Sequence, residues 1–291
     1  MPIKESVKSF FKLFIKIAVT AVCLWYVSRK IDWGKSFDII QHSNWLWLFV
    51  AVILFTASKI VSAFRLNIYF KNINVQLSQT QNLKLYWLGM FYNLFLPGGI
   101  GGDAYKVILL NRTYQYPAKQ LTAAVLLDRI SGVVGLGILA VIYYYFVFSG
   151  ANYSLALLIA LPVGIAAYYF FVQKIFPSFI KGFWPTLWLG LSVQALQVLC
   201  AYTIMLALHI SEHQTVYILL FLLSSIVAIL PLTIGGLGAR EVVFLWGSNT
   251  LLHLTNDPTP VSISISFYLI TLVISFIGLY WVYKNPVQKP Q

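Results

Sequence analysis

ISGVVGLGILAVIYYYFVFSGANYSLALLIALPVGIAAYYFFVQ, residues 130–173, contains no Asp, Glu, Lys or Arg. A helix rises about 1.5 Å per residue and a bilayer's hydrocarbon is about 30 Å thick, so about 20 apolar residues cross it. The stretch therefore holds two spans, joined by the short polar turn at 149–152. Residues 182–211 and 258–283 are uncharged in the same sense. Over the whole chain the apolar share is 59% and the charged share 10%, against about 25% charged in soluble domains. These runs imply an all-α polytopic membrane protein and exclude a soluble fold.

Working outward, continuous apolar runs place six full spans, at 10–28, 45–64, 121–148, 153–171, 184–209 and 261–283. The first follows Lys4, Lys8 and Lys12, as a secretory signal would. No small-residue cleavage site follows, and the stretch ends in Trp25, Tyr26, Arg29 and Lys30, an interfacial pattern, so it reads as a retained helix. Two further apolar pieces, residues 85–110 and 216–252, are each broken in the middle. The first breaks at Pro97-Gly98-Gly99-Ile100-Gly101-Gly102-Asp103, and the second at Pro231-Leu232-Thr233-Ile234-Gly235-Gly236-Leu237-Gly238. Pro and Gly at that density end a helix, and most of the arms are too short to span. Both pieces are read as re-entrant hairpins, with kinked spans as the alternative.

The formal charge is +12, from 20 Lys and Arg against 8 Asp and Glu. With both hairpins re-entrant and the N-terminus in the cytoplasm, fourteen basic residues fall inside, Arg65 and Lys106 among them. Arg29, Lys30 and Lys35 fall outside, and Lys59, Arg129 and Arg240 lie at membrane depth. That is the positive-inside bias of a cytoplasmic (inner) membrane protein with both termini in the cytoplasm. The same bias accounts for the charge without nucleic acid, for which no basic and aromatic ladder is present.

The two broken segments resemble each other. Leu96-Pro97 corresponds to Leu230-Pro231, Ile100-Gly101-Gly102 to Ile234-Gly235-Gly236, and Lys106 to Arg240, every pair 134 positions apart. The chain thus reads as a single membrane domain over 1–291, made of a first repeat at 1–148 and a second at 149–291. Each repeat would hold three spans and one hairpin. An odd number of spans inverts the second repeat, the layout of many secondary transporters.

Glycine lets backbone approach a ligand or turn through positive φ, which points to Gly98, Gly99, Gly101, Gly102, Gly235, Gly236 and Gly238 as substrate-binding positions. Asp103 is placed to cap the following helix, whose free amides favour an anion, with Lys106 one turn in. Arg240 and Glu241 stand at the equivalent place in the second hairpin, and Asp128 and Arg129 lie inside the third span. Neighbours on a helix point about 100° apart, so Asp128 and Arg129 do not face each other. The expected cross-pairing is Asp128 with Arg240 or Lys106, and Arg129 with Glu241. Basic residues from both hairpins would then contact a phosphate near the midplane. The bland alternative is a set of ion pairs that only fixes packing.

No HExxH, CxxC, G-x-S-x-G or phosphate-binding loop is present, so neither a metal, a cofactor nor a catalytic dyad is expected. Cys23 and Cys200 lie in apolar runs and read as packed thiols.

Three motifs in order, Asn93-Leu94-Phe95-Leu96-Pro97 to Asp103, Asp128-Arg129-Ile130-Ser131-Gly132, and Leu230-Pro231 to Arg240-Glu241, resemble the lysylphosphatidylglycerol synthase transmembrane family. That family is also called flippase-like, or UPF0104. The resemblance covers nearly the whole chain and implies translocation of a phospholipid or lipid-linked anionic substrate, with membrane lipids as partners. Larger two-part members carry a soluble aminoacyl-transferase domain after the membrane region. The sequence stops at Gln291, so aminoacylation by this chain alone is not expected. The alternatives are an enzyme transferring a group to or from a lipid phosphate, with Asp128 or Glu241 as base, and a membrane partner subunit for such an enzyme.

Overall fold

The computed structural model describes residues 18, 21–23, 25–29, 33–95, 100–229, 233, 236–254, 257–284, 286 and 287. The chain folds as α1 (Trp33–Gln41), α2 (Trp45–Asn72), α3 (Gln79–Phe95), α4 (Gly101–Tyr114), α5 (Ala118–Val147) and α6 (Asn152–Ile175). It continues through a 3₁₀ turn (Pro177–Gly182) into α7 (Phe183–Ala207), α8 (Gln214–Ile229), α9 (Ala239–Leu252) and α10 (Thr259–Ser275). A second 3₁₀ turn (Phe276–Leu279) and the short α11 (Tyr280–Tyr283) close the described fold.

Among the described residues, five helical stretches are long and apolar enough to cross a membrane: Trp45–Asn72, Ala118–Val147, Tyr153–Ile175, Pro177–Ala207 and Thr259–Tyr283. Together they make this an all-α polytopic membrane protein. They match five of the six expected spans. The sixth, at 10–28, lies mostly outside the described residues, although residue 18, 21–23 and 25–28 are helical.

The structure lengthens two elements relative to the apolar runs. The second span continues past residue 64 to Asn72, because Ser62-Ala63-Phe64-Arg65-Leu66-Asn67 offers no Gly or Pro to stop it. Its start is set by Asn44, whose side-chain oxygen accepts from the Leu46 amide at 3.0 Å. The first hairpin arm begins at Gln79 rather than 85, because its first turn is polar and finds partners. Asn67 donates to Gln79 Oε1 at 2.8 Å, and the Asn82 side chain donates to the Ala63 carbonyl.

Among the described residues two large apolar cores form, one beside each broken segment, and a small third gathers Val27, Leu245 and Val261. The first gathers Leu66, Phe70, Leu85, Leu110, Leu121 and Phe183; the second gathers Phe55, Ile204, Phe221, Phe244 and Phe267. Helix α2 feeds both, Phe55 into one and Leu66 into the other, and packs most extensively on α7. The part of α2 between those residues carries Lys59 and Arg65. Helix α6 is peripheral, with Leu155, Ile159, Val163 and Phe170 exposed as a lipid-facing surface. Cys200 is buried and Cys23 half-buried, both as free thiols.

Candidate functional site

A charge at the centre of a bilayer costs roughly 2.5–3.5 kcal/mol on insertion scales, so each buried ion here needs a partner or a purpose. Helix α5 supplies two ions on different faces. Asp128, 7% exposed, turns toward α2 and accepts from Arg65 Nε at 2.7 Å. Arg129 turns toward α4 and pairs with Asp103. The divergence follows from the helix period, as the sequence implies.

The identity of the partners differs from the expected cross-pairing. Asp128 takes Arg65, not Arg240 or Lys106, and Arg129 takes Asp103, not Glu241. The reason is proximity along the bundle: α2 and α4 each pack on α5, so each charge finds a partner inside its own half. Arg65 was placed in a cytoplasmic loop by the apolar-run reading. It sits instead in the interior of α2 and is 5% exposed.

Asp103 is shared. Its Oδ1 accepts from Lys106 Nζ at 3.0 Å and its Oδ2 from Arg129. Lys106 is 4% exposed, a buried ion. It also lies 4.7 Å over the Tyr86 ring. Asp103 does not cap α4. The cap bond comes from Asn93, whose side-chain oxygen accepts from the Gly102 amide at 2.9 Å, which leaves the Asp103 carboxylate for the two cations.

The glycines serve the chain's own packing. A Cβ on Gly102 would fall on the carbonyl of Gly89, so α3 and α4 cross there in direct backbone contact. A Cβ on Gly89 would in turn strike the Lys106 stem, which threads across the bare backbone. Gly101 is the first residue of α4. In the second hairpin Gly236 and Gly238 have φ of +82° and +83°, conformations that side chains rarely adopt. Gly98, Gly99 and Gly235 lie outside the described residues.

The second hairpin treats its charges differently. Glu241 is 1% exposed and both its oxygens are occupied: Oε2 accepts from the Gly238 amide at 2.6 Å, and Oε1 from Ser264 Oγ at 2.8 Å. Arg240 Nη1 donates to Ser225 Oγ at 3.1 Å, and its guanidinium lies over the rings of Phe267 and Phe221 at 4.9 and 5.7 Å.

An open cleft of about 360 Å³ runs between α4 and α5. Its walls are Ile100, Ala104, Val107, Ile108, Thr122, Val125 and Leu126, and its polar end is Asp103 and Arg129. Ile100, Ile108 and Leu126 are about half exposed, so the cleft opens sideways on the apolar surface. The arrangement can hold an amphipathic molecule, with an anionic group at the Arg129 end and hydrocarbon along the walls.

The sequence places Asp103 and Lys106 together at one helix start but assigns Arg129 to Glu241, whereas the structure brings Arg129 to Asp103; sequence reasoning also misses the parts played by Arg65, Asn93, Ser225, Ser264 and Gln194. The last donates from Nε2 to the Gly132 carbonyl at 3.2 Å beside the Arg65 guanidinium. The available signal was the unbroken helical stretch through Arg65 and Asn67.

Known proteins resemble this chain in whole or in part. The protein "UPF0104 membrane protein PH1989" of Pyrococcus horikoshii is 23% identical over 129 residues, which is 44% of this chain and 37% of that one. A UPF0104 membrane protein of Archaeoglobus fulgidus is 26% identical over 99 residues, 34% of this chain and 29% of the relative. The chain thus aligns with about a third of the length of these relatives. The model of the lysylphosphatidylglycerol synthase TM region matches residues 13–282, nearly the whole chain, and the protein belongs to that family.

Proposed function

We propose that this protein moves a lipid with an anionic headgroup, a phospholipid or a lipid-linked phosphate, across the membrane in which it sits. The observation that carries the reading is the Asp103–Lys106–Arg129 cluster, two cations on one carboxylate, at the polar end of the apolar-walled cleft. A phosphate headgroup meets the two cations there while the acyl chains stay against Val107, Ile108 and Leu126.

The broken segments support the same reading. Helices α3, α4, α8 and α9 have 17, 14, 16 and 14 residues, about 21–25 Å each at 1.5 Å per residue, short of the 30 Å hydrocarbon. Short paired helices are what re-entrant hairpins require. The 134-residue offset also relates helix ends. It carries Phe95 onto Ile229, the ends of α3 and α8, and Trp45–Asn72 onto 179–206, within Pro177–Ala207. These agreements support two inverted halves of one membrane domain, the frame in which a central site opens alternately to each side. The charge bias favours the cytoplasmic membrane, with both termini inside.

Group transfer to a lipid phosphate is less well supported. It needs a free base, and Asp103, Asp128 and Glu241 each hold a cation or cap a helix. A lipid-modifying enzyme remains a natural partner, as the source of the lipid to be moved.

The test is reconstitution into vesicles containing headgroup-labelled phosphatidylglycerol, with the share of label accessible from outside followed over time. Wild type exposes inner-leaflet label faster than empty vesicles, and Arg129→Gln slows it at least tenfold. Equal rates for the two proteins would remove the site from the account, and no rate above empty vesicles would remove the function.

A further inference from the structure

The carboxylates at membrane depth do not suffice for the cations. Lys59, Arg65, Lys106, Arg129 and Arg240 face Asp103, Asp128 and Glu241, five against three. Asp128 serves Arg65, Asp103 serves Lys106 and Arg129, and Glu241 is spent on the Gly238 amide and Ser264. Of these five, Lys59 and Arg240 form no ion pair with another described residue.

These two share one aromatic cluster. Lys59 Nζ lies 4.5 Å over Phe55, Phe55 meets Phe267 edge-on at 5.5 Å, and Phe267 meets Phe221 at 4.8 Å. The Arg240 guanidinium covers Phe267 and Phe221 from its own side. Lys59 and Arg240 thus stand on one run of three rings, Lys59 at Phe55 and Arg240 at Phe267 and Phe221. Ring faces attract each cation, but they do nothing for the repulsion between the two, which a low-dielectric interior magnifies. Both residues are half-buried.

We propose that Lys59 and Arg240 bind a phosphate or phosphodiester between them, over the Phe55–Phe267–Phe221 cluster, as an anion site separate from Asp103–Lys106–Arg129. The site joins α2 to the second hairpin, and Ser225, which already accepts from Arg240, fixes the guanidinium in place. It does not depend on lipid movement: an anion that binds here without being carried would satisfy the same charges. The phosphate belongs either to a lipid headgroup or to a free ion.

The test is thermal unfolding of the purified full-length protein in an anion-free, zwitterionic detergent, titrated with inorganic phosphate, dihexanoylphosphatidate or uncharged dihexanoylglycerol. Phosphatidate is expected to raise the wild-type midpoint in a saturable way. Lys59→Met and Arg240→Met each weaken the titration midpoint at least tenfold. Lys59→Arg and Arg240→Lys, which keep the charge, retain most of the response. Lys59→Met also starts from an equal or higher midpoint without anion, which shows that it folds. Both Met substitutions are also made in an Arg129→Gln background, where the cleft is silenced, so that the remaining phosphatidate response reports this site alone and the failures of the two sites are told apart. A response to inorganic phosphate as well as phosphatidate assigns a free ion as sufficient, and a response to phosphatidate alone assigns the lipid. The proposal is overturned if both Met variants respond as wild type does, or if dihexanoylglycerol shifts the protein as far as phosphatidate.

Discussion

The two broken segments have the same outline and opposite charge logic. In the first, α3 and α4 cross at Gly89 and Gly102, and the basic residue of the second arm, Lys106, is 4% exposed and tied to a carboxylate two cations share. In the second, the matching basic residue is Arg240, which rests on two phenylalanine rings and a serine, while the adjacent carboxylate caps its own helix. The difference shows that a repeated backbone does not impose a repeated charge arrangement. The first half builds a paired cluster beside a cleft, and the second leaves a cation facing another across an aromatic cluster.

The comparison breaks most severely if the first cluster loses its shared carboxylate. Asp103→Asn leaves Lys106 and Arg129 without their anion, and removal of one partner from a buried pair typically costs about 3–5 kcal/mol. Reversible unfolding in mixed micelles measures this, and a loss under about 1 kcal/mol would show the cluster to be solvated. A smaller loss, about 1–3 kcal/mol by the same measurement, is expected for Gly102→Ala, since the added carbon overlaps the Gly89 carbonyl and the arms must part. Glu241→Gln keeps one acceptor for either the Gly238 amide or Ser264 and exchanges a charged hydrogen bond for a neutral one, a loss of about 1 kcal/mol. Arg240→Met, in the absence of anion, is expected to stay within about 1 kcal/mol of wild type. The lost ring contacts are offset by removal of a costly ion. If Arg240→Met instead costs as much as Asp103→Asn, the two hairpins are electrostatically alike and the contrast fails.

Much of the fold was legible because a bilayer imposes a length rule on apolar runs. The five described spans fall where those runs lie, and the Pro and Gly elbows separate the paired short helices as read. The polar start of α3 and the last two turns of α2 were hidden for one reason: their Asn, Gln and Arg side chains each bond a partner distant in sequence, which hydropathy does not register. The site was legible in part. Charges at membrane depth announce themselves by their cost, and Asp103, Lys106 and Arg129 do meet. Which carboxylate meets which cation depends on how α2, α4 and α5 pack, and Arg65 shows this most clearly, since it lies one residue past the expected span and holds the partner assigned to others. The glycines were read as room for a ligand, whereas Gly102 is room for Gly89.

The central claim is that the first hairpin's charge cluster holds an anionic headgroup at the mouth of an apolar cleft. Native mass spectrometry of protein taken from vesicles of equal phosphatidylglycerol and phosphatidylcholine tests it directly. Wild type should retain phosphatidylglycerol in preference, and Arg129→Gln should lose that preference by about tenfold, the effect of one charge-assisted hydrogen bond. Equal retention of the two lipids by wild type, or an unchanged preference in Arg129→Gln, would contradict it.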